Sequence, residues 1–301
     1  MTLLIIVGIA FLLVLFPVLR CAVFHPFLTV GYAAKDIYFY VRYMQWRNCP
    51  YGVINGFIGY FRGGKTLSGV HYIVSRLYRK YNNKKVYDKF TKRWCIQKIV
   101  ILSNVEFTNT PYISLTNMKQ MVDMGQFHKE HDIENGTLTV TIVFCDEAST
   151  QLNSRKFKEN FANPLILGSM LQVGHYAMSF FYTTQRYLHI DALLRQVTYN
   201  VIDCQKVWRY MKNYYYDGWE MENATNPTLL TPIYRDCWFI RDKDFNEYDT
   251  HACVDELVKS ATSGDMLTTE EVLAVQNYET VGLGAITKPS KRLRKARKKG
   301  A

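Results

Sequence analysis

The chain is predicted to form an α/β domain, with a mostly parallel central sheet flanked by helices and a membrane-spanning helix ahead of it. Three observations lead there. Residues Thr2 to Leu19 carry no charged side chain. From Gly52 onward, short apolar and β-branched runs alternate with stretches of helical periodicity, as in strand–helix–strand units. A glycine-rich turn, Gly59 to Gly64, stands between the first such strand and the first such helix.

The uncharged run comes first. At about 1.5 Å per residue, it reaches nearly across a ~30 Å hydrocarbon layer. Arg20 ends it, and a second apolar stretch follows from Cys21 to Ala34. Pro17 and Pro26 each interrupt a straight helix. The span therefore reads either as one long kinked segment or as one crossing followed by an interfacial piece. It lacks the basic start of a cleaved signal peptide. Arg20, Lys35, Arg42 and Arg47 follow it, so the positive-inside rule leaves the rest of the chain in the cytoplasm, behind a single-pass anchor.

The elements after the anchor follow in order. Val53 to Ile58 reads as a strand, Thr66 to Tyr81 as a helix with Val70, Ile73, Val74 and Leu77 on one face, and Ile99 to Leu102 as a second strand. Met118 to Phe127 looks helical, and Leu138 to Cys145 is rich in β-branched residues. Pro164 opens a helix through Gln172. Ala177 to Tyr182 is a strand that ends at Thr183, Thr184 and Gln185. From Val197 to Val254 the chain is heavy in aromatic and charged residues. This region reads as hairpins, with turns at Asp217-Gly218 and Asn226-Pro227. After Ser263-Gly264, Thr268 or Thr269 caps a short helix through Val275. The division is thus an anchor at 1–46, a catalytic domain at 47–260, and a linker, short helix and basic tail at 261–301.

Of the 301 residues, 48% are hydrophobic and 21% charged, both ordinary for a folded protein, so disorder is not the default reading. The net charge of +11 is concentrated in the tail from Lys288 to Lys299, a segment suited to nucleic acid or anionic lipid. Seven scattered cysteines with no CxxC pair read as reduced thiols, neither a disulfide framework nor a zinc site.

Gly59-Tyr60-Phe61-Arg62-Gly63-Gly64-Lys65-Thr66 fits the P-loop pattern G-x-x-x-x-G-K-[ST]. Glycines let backbone N–H groups wrap phosphate oxygens, and the following helix N-terminus adds positive charge. Gly59, Gly63, Gly64, Lys65 and Thr66 are the expected ATP ligands. Lys65 would meet the β- and γ-phosphates, and the Thr66 hydroxyl would meet Mg²⁺. Ile142 to Cys145 then delivers Asp146 and Glu147 at a strand end. Asp146 is the second expected Mg²⁺ ligand and Glu147 the group that polarises attacking water. The two halves are expected to meet across neighbouring strands. Gln185, at the end of a strand beside the acidic one, would sense the γ-phosphate or position water. Arg186 and Arg195 are candidates to stabilise transition-state charge, in cis or from a neighbouring subunit. Arg62 and Arg155 are weaker candidates for the same role.

The order of P-loop, Ser103-Asn104-Val105, Asp146-Glu147, Arg155, Met170-Leu171-Gln172, Gln185, Asp191 and Leu194-Arg195 resembles the zonula occludens toxin-like assembly ATPases of filamentous phages. These belong to the FtsK–HerA superfamily of P-loop NTPases. The resemblance covers roughly Val53 to Val201. Gly174-His175-Tyr176 stands where such proteins often carry a basic cluster, and the apolar span precedes the P-loop domain rather than following it. The resemblance implies ATP hydrolysis in a homo-oligomeric ring of six at the inner membrane of the host. It implies coupling to packaging of viral, single-stranded DNA or to virion assembly and export, alongside other virion-assembly proteins. Two alternatives stay open: a conjugative or other DNA-translocating ATPase, and a nucleotide-switched membrane scaffold that moves no DNA. A P-loop kinase fits less well, because the acidic pair and Gln185 suit attack by water.

Overall fold

The computed structural model describes residues 16–115, 119–151 and 173–249. The apolar run before Phe16, the helix expected at Pro164 to Gln172, Arg155, Met170-Leu171-Gln172, the 260/261 boundary, the cap at Thr268 or Thr269 and the basic tail lie outside these residues.

The chain enters as two helices, α1 (Pro17–Phe24) and α2 (Pro26–Arg42), each with proline in its first turn, where the fixed φ and missing N–H are tolerated. The two expected helix interruptions are thus helix starts. No side chain in either helix is buried. No helix among the described residues is long and apolar enough to cross a membrane. A 3₁₀ turn, Gln45–Arg47, leads into the domain. There the buried Gln97 side chain accepts from the Cys49 N–H (2.9 Å) and donates to the Tyr81 carbonyl (2.9 Å).

The domain is built on β1 (Ile54–Ile58), β2 (Lys84–Asp88), β3 (Arg93–Ser103), β5 (Ile113–Ser114), β6 (Thr137–Cys145), β7 (Met178–Thr183), β8 (Asn200–Val207), β9 (Tyr210–Asp217) and β10 (Tyr234–Phe239). Their order is β10-β9-β8-β1-β7-β6-β3-β2, with β5 also on β3. The five central strands run parallel, and β2, β9 and β10 add antiparallel edges. The short β4 (Glu106–Phe107) pairs with β11 (Tyr248–Asp249).

Helices cover both faces, so the central strands read as continuous apolar runs. In β6, Ile142 and Phe144 pack in one layer with Leu67, Val70, Ile73 and Val74, while Val143 and Cys145 pack in the other with Met121, Phe180 and Leu194. The first layer is held by α3 (Lys65–His71), a π-helical stretch (Tyr72–Tyr78) and α4 (Arg79–Tyr81). The second is held by α5 (Lys119–Asn135), the short α6 (Ala148–Gln151) and α7 (Ala192–Val197). The helix expected at Thr66 to Tyr81 is therefore broken by π geometry from Tyr72, yet Ile73, Val74 and Leu77 stay buried. Burial tolerates the wider turn as long as the same face stays inward.

Two expected turns are helix caps. The Asp217 side chain accepts from the N–H groups of Trp219 and Glu220 and starts α8 (Gly218–Asn223). Asn226 accepts from the Thr228 N–H and starts a 3₁₀ turn, Pro227–Leu229. The local hydrogen bond that makes an Asx turn also makes an N-cap. Cys21, Cys49, Cys95, Cys204 and Cys237 are free thiols. Burial raises the Cys49 and Cys204 thiols to about 12, which keeps both protonated and inert.

Candidate nucleotide site

The site lies where the parallel strands end. β1 runs into Gly59, and α3 begins at Lys65, so the glycine loop joins a central strand to a helix N-terminus. Two glycines are required there. Gly59 has φ +147°, and a Cβ on it would lie 2.7 Å from the Cys204 carbonyl oxygen. Gly64 caps α3 in the left-handed region at φ +85°, and a Cβ there would overlap the Met211 side chain. Gly63 closes a tight turn through its N–H to the Tyr60 carbonyl (3.0 Å). Arg62 is exposed on the loop with φ +60°, a left-handed backbone that functional loops often hold. Lys65 is half-buried, its Nζ donating to the Tyr60 carbonyl (3.0 Å).

The P-loop strand and the acidic strand are not neighbours. β7 lies between them, bonded to β1 on one side and β6 on the other. The two halves nevertheless meet: the Thr66 hydroxyl donates to Asp146, 2.9 Å from Oδ1 and 3.1 Å from Oδ2. The intervening strand takes part through a residue that sequence reasoning passed over. Thr183, the last residue of β7, donates its hydroxyl to Asp146 Oδ1 (2.6 Å), and its Oγ1 accepts from the Glu147 N–H (2.9 Å). Asn104 grips the Asp146 backbone from β3's end, accepting from its N–H (2.7 Å) and donating to its carbonyl (3.0 Å). Two threonines at a strand end were the available signal for Thr183. Asn104 stands in the Ser103-Asn104-Val105 element of the expected motif order, where no role is assigned to it.

Asp146 is 6% exposed, and burial raises its carboxyl pKa. The Thr183 and Thr66 hydroxyls and the Lys65 charge oppose that shift, while Glu147 adds to it. Glu147 is exposed, with φ +49°. A non-glycine residue held there is strained, and such strain gathers at functional sites. Gln185 is half-buried just past Thr184, whose N–H donates to the Phe57 carbonyl (2.9 Å) and so keeps the β7 end against β1. The Gln185 position thus lies between the loop strand and the acidic strand. Arg186 is exposed at the same edge.

Arg195, expected to stabilise transition-state charge in cis or from a neighbouring subunit, is held within this chain by a local network. Its Nε donates to Glu222 (2.6 Å), and its Nη1 donates to the carbonyls of Leu188 (3.1 Å) and Ile190 (2.8 Å). The first bond fastens α7 to α8, and the other two tie α7 to the turn that precedes it. His175, in a 3₁₀ turn at Val173–Tyr176, belongs to the opposite edge, since this turn precedes the start of β7.

The residues present suit a magnesium nucleotide. A glycine cradle too tight for a Cβ, a lysine beside it and two oxygen ligands already in contact form the donor set that such a ligand needs. Among the described residues no cluster of three or more His, Cys, Asp or Glu side chains forms a metal site, so the hydroxyl–carboxylate pair is the metal candidate.

No family profile and no curated protein matches the chain. Several solved structures do. The N-terminal domain of zonular occludens toxin from Neisseria meningitidis is 17% identical, covers 66% of this chain and 100% of its own, and has a TM-score of 0.40. The genome packaging NTPase B204 from Sulfolobus turreted icosahedral virus 2, in complex with ATP-gammaS, is 14% identical over 52% of this chain and 76% of its own, with a TM-score of 0.34. EssC (ATPases 2 and 3) from Geobacillus thermodenitrificans is 16% identical over 50% of this chain and 32% of its own, with a TM-score of 0.33. By its own strand order, its glycine loop and the Thr66–Asp146 contact, the domain has a P-loop NTPase fold.

Proposed function

We propose that the chain is an ATPase of the zonula occludens toxin-like, FtsK–HerA kind, coupling ATP hydrolysis to packaging of single-stranded viral DNA or to virion assembly and export. The observation that carries the hydrolytic reading is the convergence of Thr66 and Thr183 on the buried Asp146 carboxylate. It joins the phosphate loop, the intervening strand and the acidic pair in one polar network. The order of motifs along the chain supports the narrower family reading.

In this reading Gly59, Gly63, Gly64 and Lys65 hold the phosphates, and Thr66 and Asp146 hold Mg²⁺. When bound, the ion would supply positive charge that offsets the negative charge of the phosphates. Glu147 accepts a proton from the attacking water at its carboxylate. The Thr183 bond to its N–H fixes the backbone that carries it. Gln185 orients that water or senses the γ-phosphate. Arg186 or Arg62 supplies positive charge, in cis or across a subunit boundary of a six-membered ring. The apolar segment ahead of the domain anchors it in the inner membrane of the host, with the ATPase domain in the cytoplasm beside other virion-assembly proteins.

Glu147→Gln tests the chemistry. Turnover is expected to fall by about 10²–10⁴-fold with ATP binding retained. Single-stranded DNA should stimulate wild-type turnover. A variant that hydrolyses at the wild-type rate contradicts the assignment. Turnover indifferent to DNA leaves the hydrolase standing and favours the nucleotide-switched scaffold.

A further inference from the structure

The β2–β3 hairpin stands apart from the nucleotide site and has an unusual tip. Between Lys84 and Trp94 it carries five basic residues and one acid, Asp88. That acid is turned inward: its carboxylate accepts from the N–H groups of Phe90 (3.0 Å) and Thr91 (3.2 Å) and from the Thr91 hydroxyl (2.7 Å). Lys89, Lys92 and Arg93 therefore face water without a neighbouring counter-charge from the turn, and all three are exposed. Phe90, at the apex, is 85% exposed. What sets Phe90 apart is its company, a large apolar ring at a loop apex between Lys89 and Lys92.

The hairpin is held against the incoming helix. Tyr43 stacks on Tyr87 with ring centroids 4.0 Å apart, and Trp94 packs beside both. Between them lies a cavity of ≈ 710 Å³ whose wall runs along the helix from Gln45 back to Asp36 and along the hairpin from Tyr87 out to Lys89 and Lys92. The tip therefore points back along α2, toward the end where Phe27 is 92% exposed. Along that helix the character changes from bare apolar side chains to Tyr38, Tyr40 and Tyr43, with Lys35 within 6.0 Å of the Tyr32 and Phe39 rings. Aromatic residues and lysines at one level, with apolar side chains beyond, match the interface of a bilayer.

We propose that the β2–β3 tip docks on an anionic phospholipid bilayer, with Lys89 and Lys92 at the phosphate layer and Phe90 inserted as an apolar wedge. Charge complementarity selects the anionic surface. The proposal rests on the membrane-anchor reading and adds a second, lipid-selective contact that sets the domain's height above the membrane.

The test uses the full chain, with Cys21, Cys237 and Cys253 replaced by Ser and a polarity-sensitive fluorophore on Phe90→Cys. ATP turnover confirms that each variant is folded. Flotation on neutral phosphatidylcholine vesicles at high salt reads the anchor alone. Fluorophore emission on phosphatidylcholine against mixed phosphatidylcholine–phosphatidylglycerol vesicles reads the tip. The expected result is a blue-shifted emission only on the mixed vesicles. Added Lys89→Glu and Lys92→Glu should remove that shift and weaken tip engagement about tenfold or more, leaving flotation on neutral vesicles unchanged. Emission identical on both vesicle types overturns the proposal, whatever the anchor does. So does a double charge reversal that keeps the shift but loses affinity for single-stranded DNA, because the surface would then be a nucleic-acid contact. Absence of flotation on neutral vesicles overturns the anchor reading separately.

Discussion

The entering helices and the central sheet treat apolar side chains in opposite ways. In β6 every residue from Thr139 to Cys145 is buried, and the polar groups that follow are bonded into a network. In the 17 residues of α2 no side chain is buried, although Phe27, Val30, Ile37 and Val41 are apolar. The sheet is complete in itself: its apolar area is removed from water, and its buried Asp146 has partners. The helices bury no side chain against the fold they lead into and meet it only at the end of α2, where Tyr43 stacks on Tyr87. Exposed apolar area on that scale marks a surface meant for something other than water. Substitutions in the two regions should therefore differ in kind, and each of the following can break or sharpen that contrast.

The largest expected loss of stability comes from Arg195→Ala. Arg195 and Glu222 are 16% and 15% exposed, and Arg195 also donates to two carbonyls. Removing the guanidinium leaves Glu222 without its partner and should cost about 2–4 kcal/mol. This should appear as a melting point lower by about 5–10 °C, with Arg195→Lys recovering part of it. A variant that melts like wild type but loses turnover would return Arg195 to the catalytic role first expected of it.

Thr183→Val comes next. It removes a donor to Asp146 and the acceptor of the Glu147 N–H. Stability should fall by about 1–3 kcal/mol by thermal melting. Turnover should fall by about tenfold, since the water-polarising residue loses its anchor point. Thr183→Ser, which keeps the hydroxyl, should restore both.

How much of this was legible in the sequence depended on how local each feature is. β1, the glycine loop, β6 and its acidic pair are contiguous motifs, and the structure has them as expected. The apolar run predicts only Ile99 to Leu102 for β3, whereas the strand starts at Arg93. Its first half alternates exposed Trp94, Ile96 and Lys98 with buried Cys95 and Gln97, and charged residues hid that period of two. β2 was missed for the same reason, since Val86 is the one fully buried residue in it. The insertion of β7 between the loop strand and the acidic strand is a long-range pairing that no local pattern encodes, and Thr183's role follows from it. The ion pair of Arg195 with Glu222, on a different helix, is likewise a long-range contact that no local pattern encodes.

The smallest effect is expected in the helices. Val30→Ser or Tyr38→Ser should change the melting point of the domain by no more than about 0.5 kcal/mol equivalent, because neither side chain is buried. Both should weaken association with vesicles. A large loss of thermal stability would mean that α2 packs on the domain and would erase the contrast.

The claim that the loop and Asp146 form one metal–nucleotide site is tested most directly by measuring ATP affinity with and without Mg²⁺ in wild type and in Asp146→Asn. Wild type should bind ATP more tightly when Mg²⁺ is present, and Asp146→Asn should lose that increment while keeping its metal-free affinity through Lys65 and the glycine loop. An Asp146→Asn protein that retains the full Mg²⁺-dependent gain would show that the contact between Thr66 and Asp146 is not the metal site.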